Sequence, residues 1–112
     1  WYSGEDSLNL ALLALGAGGM VSVVGHLVGD RLAKMAKLFG NGEVEAARTI
    51  NESLLPVYTG VFRAQGVILI KAALNLQGLP SGPVRLPLVN ATPSEIEQLR
   101  IDLAAGGVVP FA

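Results

Sequence analysis

The sequence predicts an α/β chain, mostly helical: one strand–helix–strand unit followed by at least four helical segments. Three observations predict it. "SLNLALLALGAGGMVSVV" (7–24) switches from Leu- and Ala-rich to β-branched across four small residues, which reads as helix, tight turn, strand. Apolar residues from Leu32 onward recur at three- and four-residue spacing, the mark of a helix with one buried face. "TPSE" at 92–95 is the capping box that opens a helix. Hydrophobic residues make up 51% of the 112 and charged ones 15%, so the surface must be covered by a large fold, an oligomer or a membrane.

The elements follow in order. "WYS" (1–3) reads as the end of a strand. The first helix spans Ser7 to Gly16, with Asp6 or Ser7 at its cap and Gly16 as its stop. "MVSVV" (20–24) is short, β-branched and buried in character, hence a strand. Such a unit pairs its strands in parallel with a right-handed crossover. Two strands do not make a stable parallel sheet, so their partners come from before Trp1 or from another chain. The opening "WYSGED", without an initiator Met, starts as if in mid-element and suggests a piece of something longer.

The stretch Ser7–Gly29 also admits another reading. Its 23 residues carry no ionisable group except His26, enough to cross a bilayer. Against this, "GAGG" is a poor centre for a lipid-exposed helix, and Glu5 and Asp6 stand where basic anchors belong. The helix–strand reading is preferred, with the membrane segment as its alternative.

After the second strand, Leu32, Met35, Ala36 and Phe39 form a helix stripe that "GNG" (40–42) stops. A long helix from Glu43 to Arg63 carries Ala47, Ile50, Leu54, Tyr58 and Val61 on one face, and Pro56 is expected to kink or break it. Gly66–Gly78 is a further helix, and Pro80, Pro83 and Pro87 forbid regular helix after it. Thr92 caps the last helix, whose Ile96, Leu99 and Leu103 face inward until Gly106 ends it.

Composition excludes several classes. Eight basic and nine acidic side chains give a net charge of -1 without clusters, unlike a nucleic-acid surface. No cysteine and one histidine rule out disulfides and make a metal site improbable. No phosphate-binding or cofactor motif is present.

Chemistry-bearing candidates are few. "YSGED" lies at a strand-to-helix junction, where parallel α/β folds bind ligands. Gly4 allows close backbone approach there, and Glu5 and Asp6 are able to orient polar groups. The plainer reading, a glycine turn and an Asp6 cap, is preferred on these residues alone. His26 has no carboxylate partner in view, and Ser22 lacks a nucleophile elbow. Lys71 in "VILIKAAL" is the best Schiff-base candidate, since burial frees a lysine amine. A lysine on an amphipathic helix more often carries its amine to the surface.

Taken together, "YSGED", "GAGGMVSV", "EAARTINESLLPVY", "VILIKAALNLQGL" and "RLPLVNATPSEIEQLR" resemble, in order, the carboxyl-terminal part of the dihydrodipicolinate synthase family of pyruvate-dependent class I aldolases. The resemblance implies a (β/α)8 TIM barrel with a carboxyl-terminal helical domain. Residues 1–40 would be the end of the barrel (end of strand 7, helix 7, strand 8, helix 8) and 41–112 the helical domain. It implies a lyase of lysine and diaminopimelate biosynthesis that condenses pyruvate with aspartate semialdehyde through a lysine imine. That lysine and the proton-relay residues lie upstream, so no catalytic residue is expected in this chain, and Lys71 does not inherit the imine.

Two substrate-binding positions carry over. Val21 matches an eighth-strand residue whose backbone carbonyl lies beside pyruvate, and Gly4 matches the glycine at the mouth of strand 7. Glu5 departs from the more usual aspartate. No metal or cofactor is implied; the expected setting is a cytoplasmic homo-oligomer, a homotetramer, without nucleic acid or membrane. The chain alone is expected to be inactive and prone to self-associate, with several hundred Å² of uncovered apolar surface at roughly 25 cal/mol per Å². Another 2-keto acid aldolase and a non-enzymatic helical oligomerisation module are the alternatives.

Overall fold

In the computed structural model residues 1–109 are described; positions 110–112 of the expected helical domain lie outside them. A 3-10 turn, Asp6–Leu8, leads into α1 (Asn9–Ala14), followed by α2 (Gly25–Gly40), α3 (Val44–Val61), α4 (Gly66–Leu76) and α5 (Pro93–Ala105). The chain divides into two compact units between Leu55 and Pro56, within α3.

In the first unit, the expected parallel pairing exists as a single bridge between Ser3 and Met20. Three backbone hydrogen bonds hold it: Gly18 N–H to the Trp1 carbonyl at 2.8 Å, Ser3 N–H to Gly19 at 2.9 Å, and Val21 N–H to Ser3 at 2.8 Å. Neither "WYS" nor "MVSVV" is a full strand among the described residues. A parallel pair without further neighbours has no second ladder to lengthen it, and Val24 already serves as the cap of α2.

Gly16, at φ +98, closes α1: Ala17 N–H reaches back to the Leu12 carbonyl at 2.9 Å and Gly16 N–H to Leu13 at 3.0 Å. This is a left-handed closure that side-chain-bearing residues rarely adopt. Thus Ser7–Gly29 is broken into a turn, a short helix, a bridge segment and the start of α2. Among the described residues, no single helix is long and apolar enough to cross a membrane.

Helix α2 bends at Val28, whose φ of -130° is not helical, and α1 packs against it. Val24, Val28, Leu32 and Met35 are buried, as are Ala47 and Leu54 of α3, each large side chain contributing about 1.5–3 kcal/mol of transfer free energy. Pro56 does not interrupt α3, against the expected break. A proline removes one i→i−4 bond, here to the carbonyl of Glu52, and Glu52 is an exposed residue, where an unpaired carbonyl costs least.

In the second unit α4 packs against α5. Val57, Tyr58, Val61, Leu69, Ile70, Ala73, Leu99 and Leu103 are buried. Gly78 closes α4 in a left-handed turn, with Leu79 N–H on the Leu74 carbonyl at 3.0 Å. The expected capping box is complete: Glu95 N–H donates to Thr92 Oγ1 at 3.3 Å and Thr92 N–H to Glu95 Oε2 at 2.7 Å.

On α5, Asp102 is buried and grips Arg63, whose Nε and Nη2 donate to Oδ2 and Oδ1 at 2.6 and 3.1 Å. A Cβ on Gly60 would stand 2.5 Å from the Asp102 Cβ, so α3 and α5 approach this closely only because that side chain is missing. The hydrogen bond from Arg63 holds the Asp102 carboxyl below the usual carboxylate range, against the opposing effect of burial and with help from Gln98.

Two expectations follow. Thr92→Ala removes the reciprocal cap and lowers unfolding free energy by about 1 kcal/mol, read from the denaturant midpoint. Because the folded state holds the Asp102 proton less tightly than the unfolded chain, its contribution is present above about pH 4 and fades as pH falls through the lowered value. A pH series of thermal melts will show this acid limb weakened in Asp102→Asn.

Candidate functional site

The junction after the bridge is organised by one carboxylate. Asp6 is 2% exposed. Its Oδ2 accepts the backbone N–H groups of Val23 and Val24, both at 3.0 Å. Its Oδ1 accepts Asn9 Nδ2 at 3.0 Å and the hydroxyl of Ser22. Ser22 Oγ in turn accepts Gly25 N–H at 2.9 Å. On the other side, Ser3 Oγ donates to Asn9 Oδ1 at 2.7 Å. Ser3, Asp6 and Asn9 are all buried, and among the described residues no buried side-chain nitrogen or oxygen lacks a partner.

Asp6 was expected to be a simple cap of the first helix. In the structure α1 is preceded by Leu8 without any side-chain cap, and the side-chain cap present, Glu5 Oε1 accepting Ser7 N–H at 3.4 Å, belongs to the 3-10 turn. Asp6 instead ties the 3-10 turn to the residues that lead into α2, where a negative group also complements the helix dipole. With four donors on it, Asp6 has no free acceptor for a ligand. Ser22, bonded to Asp6 and not to a histidine, has no activating base, in line with its sequence context. Asn9 and Ser3 are the residues that sequence reasoning passed over. The visible trace was an Asn inside the Leu-rich "SLNLALL", three positions after Asp6 and therefore on its helical face.

Gly4 and Val21, the residues that follow the bridge on its two sides, stay open. Gly4 is exposed and the space beside its Cα is empty. Val21 is 71% exposed, its N–H is held by Ser3, and its carbonyl accepts no hydrogen bond among the described residues. His26 is exposed in the first turn of α2. Lys71 lies in the second unit, half-buried on α4, with Nζ donating to the Pro83 carbonyl at 2.6 Å. Among the described residues no group of three or more His, Cys, Asp or Glu is placed to hold a metal. The arrangement offers backbone groups to a ligand and no acid–base pair.

Removing the Asp6 carboxylate leaves two backbone amides and two side chains without their acceptor. Asp6→Ala is therefore expected to lower unfolding free energy by about 3 kcal/mol. Denaturant titration followed by far-UV circular dichroism measures it.

Comparison with known proteins gives this junction its context. A family model described as the dihydrodipicolinate synthetase family matches residues 1–105. The 4-hydroxy-tetrahydrodipicolinate synthase 2 of Streptomyces coelicolor is 60% identical over 108 residues, 96% of this chain and 36% of that protein. The 4-hydroxy-tetrahydrodipicolinate synthase of Acidothermus cellulolyticus is 51% identical over 112 residues, 100% of this chain and 36% of that protein. This chain thus spans little more than a third of the length of the curated relatives it matches.

Solved structures agree. The synthase from Cyanidioschyzon merolae with lysine bound superposes with a TM-score of 0.91 at 40% identity, over 96% of this chain and 37% of that one. The Thermotoga maritima enzyme gives 0.90 at 32% identity, over 96% and 37%. These are TIM-barrel enzymes, and the helices here, with their single parallel bridge, match the carboxyl-terminal part of such a barrel with the helical domain that follows it. By sequence and by fold, the chain belongs to the dihydrodipicolinate synthetase family.

Proposed function

We propose that this chain is the carboxyl-terminal part of a 4-hydroxy-tetrahydrodipicolinate synthase, a lyase that condenses pyruvate with aspartate semialdehyde through an imine on a lysine lying outside this sequence. The observation that carries the reading is the unpartnered carbonyl of Val21 beside the bridge, next to the open backbone of Gly4. In this reading the Val21 carbonyl lies against bound pyruvate, and Gly4 leaves room at the mouth of the barrel. Neither group moves a proton; both shape and orient. Asp6 fixes the Ser22–Val23 and Val23–Val24 peptides that follow, while the Val21 N–H is held by the Ser3 carbonyl.

Residues 1–40 are proposed as the end of the barrel and 41–112 as the helical domain, an architectural boundary distinct from the division into compact units. The complete protein is proposed to work in the cytoplasm as a homo-oligomer. Exposed Trp1, Tyr2, Leu8, Leu15 and Val21 in the first unit support a surface that the rest of a barrel covers. Lys71 is given no imine role, because it lies on α4 in the proposed helical domain and the imine lysine of this reading lies outside the chain.

Pyruvate with borohydride, which traps any imine, tests this by intact mass. The chain alone is expected to gain no mass; a stoichiometric adduct on Lys71 would overturn the assignment. Supplied with the remaining part of the Streptomyces coelicolor synthase 2, the chain is expected to restore condensation. In that reconstituted enzyme Gly4→Val raises the KM for pyruvate about tenfold or more, the factor for roughly 1.4 kcal/mol of lost binding. Absence of condensation with both parts folded would sink the reading.

A further inference from the structure

The second unit holds a cavity that the proposed synthase chemistry does not use. It has a volume of about 320 Å³ and lies between α4, the proline-rich segment after it and the start of α5. That is the lower end of the size range of small-molecule sites. Its walls are aliphatic: Ile68, Ala72 and Leu76 from α4, Val84 from the segment and Ile96 from α5.

Its polar side chains are Lys71, Asn75 and Asn90; the Asn75 amide is used within the wall, its Nδ2 donating to the Gly82 carbonyl at 3.4 Å. Lys71 reaches it from α4, and Nζ gives one hydrogen bond, to the Pro83 carbonyl at 2.6 Å. An amine of this kind has three donors, and no carboxylate pairs with it among the described residues. Asn90 lines it from the segment before α5 and is exposed at its rim. Its Oδ1 is occupied by Val84 N–H at 3.1 Å, while its Nδ2 donates to nothing among the described residues. No acidic side chain lines the cavity.

The wall is itself held in shape. Ser81 Oγ bridges the Lys71 carbonyl at 2.7 Å and Asn75 Oδ1 at 2.9 Å, so the proline-rich segment is fastened to α4 on one side of the opening. An aliphatic pocket with spare donors and a cationic group, fixed by its own hydrogen bonds, complements one kind of molecule. We propose that this cavity binds a short aliphatic monocarboxylate, its chain against Ile68, Leu76 and Ile96 and its carboxylate between Lys71 Nζ and Asn90 Nδ2. The site stands apart from Gly4 and Val21 in the sequence and does not depend on the reading of their role.

Saturation-transfer NMR with hexanoate tests it on the whole chain, since the method observes the ligand and tolerates self-association. Hexanoate is expected to receive saturation along its chain and to saturate in titration, and the neutral isostere hexanol to bind about tenfold more weakly or worse. Asn90→Asp keeps the acceptor for Val84 N–H, removes the donor and adds a repelling charge; it is expected to weaken hexanoate by about tenfold or more with the helix signal unchanged. Lys71→Met gives a parallel loss. Equal binding of hexanol, or hexanoate binding that Asn90→Asp leaves unchanged, would show contact with exposed apolar surface and overturn the proposal.

Discussion

The first unit rests on a carboxylate that never meets solvent. Asp6 gathers two backbone amides, an asparagine and a serine around itself, and through them joins three separate pieces of chain. A buried charge is tolerated only when its lone pairs are met by well-placed donors, and here four are present. The bridge between Ser3 and Met20 is too short to fix the register of its two segments by itself. Asp6 and Ser22 add a side-chain tie across the two segments beside that bridge.

The second unit solves a similar problem by different means. Its proline-rich segment has few backbone donors to offer, so side chains on both sides supply the connections to α4: Lys71 donates to the Pro83 carbonyl and Ser81 to the Lys71 carbonyl. Where α3 meets α5, a glycine and an ion pair work together. Gly60 removes the bulk, and Arg63 supplies the charge that keeps Asp102 in place. Among the described residues the buried polar side chains are Ser3, Asp6, Asn9 and Asp102, and each sits where two pieces of chain are held together.

Much of this was legible from the residues. The helix ends at Gly16, Gly42, Gly78 and Gly106 were readable because chain direction changes there need small residues, and "TPSE" because both halves of a capping box are written in four letters. The apolar stripes gave Leu32, Met35, Leu54 and Leu99 as core. Strand length was not legible, since β-branched "MVSVV" shows propensity while pairing depends on neighbours. Pro56 misled because a proline's cost depends on whether water reaches the orphaned carbonyl. For the candidate site, Gly4 and Val21 entered through resemblance rather than residue chemistry; backbone groups leave no signature in side-chain type. The side-chain partners of Asp6 were hidden for a related reason: Asn9 and Ser22 are ordinary letters until the fold brings them within hydrogen-bond reach of its carboxylate.

The contact between Gly60 and Asp102 also bears on which length changes this fold can absorb over evolutionary time. One residue inserted into α5 ahead of Asp102 would turn its carboxylate by about 100° around the helix axis, away from Arg63 and out of the gap that Gly60 leaves. An insertion among Leu86, Pro87 and Val89, all exposed, would leave α5 in register but would fall between Val84 and Asn90, whose hydrogen bond closes that segment. The count of residues from the Thr92 cap to Asp102 is thus locked by a missing methyl group on another helix.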